Sequence, residues 1–345
     1  DADATGVEEG LSWINAFTTF EAALDAADEG LGTSIWVAEG TYLAIDPYAI
    51  QTNGLSVYGG FAGTETLVTQ RDWANNETLL DGGAVRLVLD IQADNVLLDG
   101  LVITNAHDTG EQTEYGGGVL MRDSGTNLTM LNCRIVNNRI TAVNNGSSYG
   151  GGAYFKNAGA VLLSNCVIRA NVATLRGSGI GFWSEGSTTL TLLDCDIREN
   201  YDPQTDQRNG KGFYLKSGTL TMVGCTIVDN YTYSTDSNSG KGVGGYIEGG
   251  TASFTNCVFT GNKCPNTAAG DGGGLYILNG NVTIESCTFA ANVVHTNSAG
   301  SLGGAIYQNS GTVTIKNSIF WGNEAGTNAA PGHTIYQTAD DTMNI

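Results

Sequence analysis

The sequence predicts an all-β chain wound as a single right-handed parallel β-helix beneath an N-terminal α-helical cap. Three observations predict it. The first is a phrase said seven times, clearest over 272–292 as GGGLYILNGNVTIESCTFAAN. Its copies end at Asn138, Asn171, Asn200, Asn230, Asn262, Asn292 and Asn323. Six of them carry a cysteine five residues earlier: Cys133, Cys166, Cys195, Cys225, Cys257 and Cys287. These cysteines recur every 29 to 33 residues, a period typical of stacked repeats. The second observation is alternation. Val282 and Ile284 share a strand face, as do Cys287 and Phe289, but the step between the pairs is three, so the chain bends there. Each copy thus holds three short strands and makes one coil, pairing with the next at roughly 4.8 Å. The third is composition: 41% hydrophobic residues supply an ample core, while 49 glycines serve the bends. The hand follows from the preference of parallel crossovers for right-handed connections.

Two ladders follow from the stacking. The repeated asparagines are expected at bends of positive φ, with amides hydrogen-bonded from coil to coil. The six cysteines read as small inward hydrophobes with buried thiols, because equivalent side chains on successive coils point in parallel rather than toward each other. Cys264 stands apart, before Pro265 in a loop, where an exposed thiol is one reading.

Taken in order, residues 1–32 form the cap. Phe17, Phe20, Leu24 and Ala27 follow helical spacing, Thr18 and Glu21 are placed as a capping box, and Gly30 is a stop. A β-helix exposes strand edges at its end, and this helix would cover them. Residues 33–345 form the β-helix, irregular over 33–115 and regular over 116–345. Strands are expected at 34–38, 55–58, 85–89 and 96–98, a loop at 70–78, and a cysteine-free forerunner of the repeat at 100–105. Polar loops at 139–149, 201–209, 231–239 and 263–271 project from one side, which is often the functional side of a solenoid. The chain stops partway through a coil. A further domain, a neighbouring subunit stacked head-to-tail, or residues 331–345 folded over the last coil would cover that edge.

The formal charge of −20, with only 15 Lys+Arg, speaks against nucleic acid or an anionic membrane as partner. No apolar run approaches the ~20 residues of a membrane-spanning helix. The start at Asp1 reads as a processed mature end, which points to a secreted or bacterial cell-surface protein.

The glycine-and-asparagine pairing carries a resemblance. Gly303-Gly304-Ala305-Ile306 with Phe320-Trp321-Gly322-Asn323 resembles the repeats of polymorphic outer-membrane proteins of the chlamydial type, as do 259–262 and 289–292. The runs Leu11-Ser12-Trp13, Ile35-Trp36-Val37-Ala38-Glu39-Gly40-Thr41-Tyr42 and Val57-Tyr58-Gly59-Gly60-Phe61 are similar to the opening of many secreted bacterial β-helix proteins. The resemblance implies export, surface display and adhesion.

Pectate-lyase-like solenoids also host polysaccharide-cleaving enzymes, which carry recognisable catalytic residues. The Asn-Thr-Asp, Asp-Asp, Gly-His-Gly and Arg-Ile-Lys set of polygalacturonases is missing, as is the Arg-x-Pro-x-x-Arg of pectate lyases. The three histidines, His107, His295 and His333, are scattered. Two polar clusters remain as fallback catalytic groups. Asp194 and Asp196 with Arg169 and Arg198 offer an acid/base pair or a solvated ion-pair network. Lys211 and Lys241, each within Gly-Lys-Gly beside Asp206 and Asp236, offer a lysine base or a turn decoration. No cofactor is called for, although His107, Asp108, Glu111 and Glu114 present oxygens suited to Ca²⁺.

Columns give the binding candidate. Val119, Ala153, Ile180, Phe213, Leu275, Ile306 and Ile335 align, as do Met121, Phe155, Phe182, Leu215, Ile247 and Ile277 two residues on, and both columns should point inward. Between them Tyr154, Tyr214, Tyr246, Tyr276, Tyr307 and Tyr336 point out. The leading expectation is a non-catalytic, adhesin-like surface protein that takes a glycan or protein partner on this exposed strand face. A glycan-cleaving enzyme and a self-assembling filament are the alternatives.

Overall fold

The computed structural model describes residues 1–345 apart from 85–86, 109–115, 123–125, 142–148, 185–187, 203–208, 234–239, 265–269, 295–300, 327–333, 339–341 and 345. Its strands form parallel sheets of 11, 10, 10 and 8 strands, each joining equivalent segments of successive coils. Three sheets were expected. One follows the glycines (the post-glycine sheet, for example Leu275–Ile277), one carries the second strand of the phrase (the middle sheet, Asn281–Glu285), and one follows the cysteine (the post-cysteine sheet, Thr288–Ala290). The fourth is new. It is built of two-residue strands directly after the ladder asparagine, such as Tyr201–Asp202, Tyr231–Thr232 and Lys263–Cys264, and is here the post-asparagine sheet. Register is kept coil after coil, as in Thr219↔Thr251, Thr251↔Asn281 and Asn281↔Thr312.

Both predicted inward columns lie in one continuous core with the cysteine ladder and the inward residues of the middle sheet. The column is interrupted at Gly245, where a Cβ would fall 2.1 Å from the Phe213 ring, so the glycine makes room for that side chain. The six ladder cysteines are buried, and no disulfide joins them. Hydrogen bonding to the Cys225 thiol, and then burial, push the Cys257 thiol up to about 12. Cys264 is a correction: it is fully buried, packed with Val243, Val294 and Ala325 in a small second core between the post-asparagine sheet and the glycine segment.

The asparagine ladder forms as expected in its contacts but not in its backbone. Asn200 Nδ2 donates to Ile168 O (2.9 Å) and Asn230 Oδ1 (3.0 Å), while Asn200 Oδ1 accepts from the N–H (3.0 Å) and Nδ2 (3.1 Å) of Asn171. The same pattern runs from Asn138 to Asn323. Positive φ belongs instead to the preceding residue: Asn137, Ala170, Glu199, Asp229, Gly261, Ala291 and Gly322. A second left-handed residue precedes each cysteine position, from Asn132 to Asn317. The asparagines keep ordinary φ because their amides must point into the coil.

This ladder also explains the glycines. A Cβ on Gly152 would lie 2.6 Å from Gly179 O and 2.8 Å from Asn171 Nδ2, and the sites on Gly118, Gly179, Gly212 and Gly244 are equally filled. The glycine and asparagine halves of the phrase are therefore one packing unit.

At the N-terminal end helix α1 (Phe20–Asp28) lies against the first strands of the post-glycine and middle sheets. Its cap is Thr19, whose hydroxyl accepts from Ala22 N at 3.2 Å; Thr18, the expected cap, donates to Glu8 Oε1 instead. Phe20, Leu24 and Ala27 are buried, and Phe20 meets Tyr48 edge-on at 4.9 Å. A cavity of about 640 Å³ lined by Trp13, Phe17, Phe20, Trp36 and Tyr42 separates this cap from the first coil. At the other end, Ile335–Gln337 and Thr342–Asn344 extend two sheets in register rather than crossing the last coil.

Replacing Asn200 by Ala removes a buried amide and its four side-chain hydrogen bonds, and it takes the acceptor from the buried Asn171 N–H. With about 1–3 kcal/mol for each unsatisfied buried group, partly relieved by relaxation, the expected loss in urea unfolding is about 3–5 kcal/mol. Asn279→Ala, at an exposed turn where the side chain accepts only from Gly280 N, should cost under about 1 kcal/mol.

Candidate functional site

Of the six candidate tyrosines, Tyr154, Tyr214, Tyr246 and Tyr276 belong to a cluster separate from the main core, Tyr307 packs against that cluster, and Tyr336 stacks on Tyr307 at 5.1 Å. They do not form an exposed face. Tyr154, Tyr214, Tyr246 and Tyr276 are buried and Tyr307 and Tyr336 half-buried. The rings stack at the coil spacing: Tyr246–Tyr276 at 5.0 Å and 3°, Tyr276–Tyr307 at 4.8 Å and 4°. Alternation fixes the direction of a side chain relative to the lumen but says nothing of what packs outside it. Here Leu87, Leu120 and Tyr149 share the cluster, with Trp183 and Leu278 against it.

A polar row edges this column. The residue before each glycine run stacks in the order Tyr149, Arg176, Asn209, Lys241. Arg176 Nη1 donates to the Tyr149 hydroxyl (2.9 Å) and the Tyr214 hydroxyl (3.3 Å), and the Tyr214 hydroxyl donates to Glu248. Although burial alone would lower it, Tyr214, Tyr149 and Glu248 hold the Arg176 guanidinium above its ordinary value. Lys241 Nζ sits 5.3 Å from the Tyr276 ring centre. Asp271 follows in the next coil. Burial pushes its carboxyl from 3.8 up to about 6, against the opposing pull of the Leu302 N–H and Lys241.

The fallback residues separate. Lys241 joins the row just described. Lys211 is no turn decoration: it is buried in the second core, its Nζ 2.6 Å from Asp202 Oδ2. Asp206 and Asp236 lie outside the described residues. Asp194 occupies the left-handed bend before Cys195, whereas Asp196 and Arg198 lie on the post-cysteine strand, so the two carboxylates are not a facing pair. Arg198 Nε pairs with Asp196 Oδ2 at 3.0 Å, and Arg169, its register partner, pairs with Glu199 Oε2 at 2.8 Å. Of the Ca²⁺ candidates, Glu111, Glu114 and the Asp108 side chain lie outside the described residues. Among the described residues no metal-holding cluster of His, Cys, Asp or Glu occurs.

What the sequence reading missed lies around the corner from that ion-pair network. Tyr201 and Tyr231, each directly after a ladder asparagine, stack at 5.0 Å and 3°. Tyr233 meets Tyr231 edge-on at 5.0 Å and Tyr201 at 6.3 Å. Tyr201 and Tyr231 are half-buried, and Tyr233 is 53% exposed. Burial, and then the Tyr233 hydroxyl, raise the Tyr231 phenol, with Glu199 adding to the shift. One exposed and two half-buried tyrosines thus stand close in the chain to two Arg–carboxylate pairs. Such a patch offers apolar ring surface beside hydrogen-bonding groups that fix orientation. The signal was available: Asn-Tyr recurs at Asn200-Tyr201 and Asn230-Tyr231.

Comparison with known families agrees with this architecture. A family model described as a right handed beta helix region matches residues 87–280. No curated protein and no solved structure matches the chain.

Asp271 gives a pH-dependent test. Its folded-state value lies above the ordinary one, so the folded chain holds this proton more tightly and loses stability as pH rises from about 4 to 6. Asp271→Asn should match the parent at pH 4 in urea unfolding. Above pH 7 it should exceed the parent by about 1–3 kcal/mol.

Proposed function

We propose that this chain, which belongs to the right-handed β-helix family, is a non-catalytic, exported bacterial surface protein that binds a glycan on the Tyr201–Tyr231–Tyr233 patch. The observation that carries the reading is a stack of two half-buried phenols edged by the exposed Tyr233, with Arg198–Asp196 and Arg169–Glu199 close to them in the chain. A sugar has an apolar C–H face for the rings and hydroxyls for the charged pairs. The likeness to polymorphic outer-membrane repeats and to secreted β-helix openings supports display outside the cell. The charge of −20 favours neutral over polyanionic glycans.

A second reading, cleavage of a bound glycan, is favoured by Asp271. A carboxyl held near 6 beside Lys241 titrates in the range useful for acid–base work. An assay of reducing ends and unsaturated products on pectin, alginate and neutral glycans separates the readings. Turnover lost on Asp271→Asn would establish the second.

Binding is tested by screening neutral and acidic glycans, then titrating the hits with Tyr231→Ala/Tyr233→Ala. Affinity should fall at least about tenfold, a loss of about 1.4 kcal/mol, with Tm nearly unchanged. Tyr246→Ala/Tyr276→Ala, in the buried column, should instead cost about 3–5 kcal/mol of stability. Undiminished binding in the Tyr231/Tyr233 variant would overturn the proposed patch.

A further inference from the structure

Lys211 and Asp202 stand in a site shared with the apolar Val243, Cys264, Val294 and Ala325 and the small polar Ser178 and Thr232. Lys211 is the middle residue of Gly210-Lys211-Gly212, and the equivalent position one coil on is the buried Val243. Asp202 is the second residue of its post-asparagine strand, a position taken by Cys264 and Val294 further along. The two side chains are 1% and 0% exposed, with Lys211 Nζ 2.6 Å from Asp202 Oδ2. The other carboxylate oxygen is held on its far side. Thr232 Oγ1 donates to Asp202 Oδ1 at 2.8 Å, and Tyr233 N–H does so at 3.3 Å.

An amine and a carboxylate buried together are costly as ions, because each loses its hydration. An amide in the same place carries no charge and keeps an oxygen for both donors. The arrangement also meets the requirements of amide formation. The nucleophile is at contact distance, and the two donors polarise the carbonyl oxygen on which negative charge develops. Few waters reach the pair, so the reverse reaction is disfavoured.

We propose that Lys211 and Asp202 are joined by an intramolecular isopeptide bond. Lys211 Nζ attacks Asp202 Cγ and the Cγ–Oδ2 bond breaks. Oδ2 leaves as water with two of the three ammonium protons, and the third remains on the amide nitrogen. Oδ1 becomes the amide oxygen, still accepting from Thr232 and Tyr233. Charge and electrons balance without an oxidant, reductant or further reactant. The bond closes a covalent ring from Asp202 to Lys211, and Asp202 directly follows Tyr201. The strand that carries Tyr201 would then be fixed covalently to the glycine segment at Lys211.

Intact-mass measurement of the denatured full chain tests this directly. The parent protein should be lighter than its sequence mass by one water, whereas Lys211→Arg and Asp202→Ala should show their full masses. Trypsin should leave Lys211 uncut and release a branched peptide joining it to the segment containing Asp202. The parent mass decides the matter even if a variant fails to fold. A parent at full sequence mass, cut at Lys211, would show an ion pair only and overturn the proposal. So would a lost water that maps elsewhere in the chain.

Discussion

Coil-to-coil pairing of buried asparagine amides is the constraint on which the rest of this structure depends. Each amide has donors and an acceptor that only the neighbouring coils satisfy, as with Asn171, Asn200 and Asn230. A slip of one residue would leave those groups unpaired in the interior and turn every inward side chain outward. Register is therefore exact over many coils, and like residues stack on like. Phe259–Phe289, Tyr246–Tyr276 and Tyr201–Tyr231 are all products of the same repeat. The rule brings a difficulty with it, because like charges stack too. Arg169 and Arg198 are register partners, and each has its own carboxylate, Glu199 and Asp196.

The glycine segment is the second half of that constraint. The ladder amides and the carbonyls of the next coil occupy the space where side chains would begin, so glycine recurs opposite the asparagines from Asn138 to Asn292. Where the chain between the glycines does carry a side chain, as at Lys211 and Val243, it enters the small second core. That core exists because the two-residue strands after each asparagine turn one side chain inward, at Asp202, Thr232 and Cys264.

Much of this was legible in the residues. The period, the alternation and the inward columns lead directly to stacked coils, and the cysteine ladder sits in the core as its parallel geometry requires. The errors have physical causes. Left-handed positions are filled by Asn, Ala, Glu, Asp, Ser and Gly in turn, so no one residue type marks them and the ladder asparagines drew the assignment. Strands of two residues are too short for an alternation to show, which hid the fourth sheet and made Cys264 look like a loop residue, while flanking glycines did the same for Lys211. The tyrosine column was placed on the correct side of its strand, but burial by neighbours such as Leu120 and Tyr149 is a tertiary property. For Tyr201 and Tyr231 the repeat offered a position but not an exposure.

The account turns on which tyrosines face solvent. Limited nitration of the native protein, followed by peptide mapping of each modified phenol, measures that directly. It predicts rapid modification of Tyr233, then of Tyr201 and Tyr231, while Tyr154, Tyr214, Tyr246 and Tyr276 stay unmodified until the protein unfolds. Modification of the buried column at the rate of Tyr233 would contradict it and return the binding face to the post-glycine sheet.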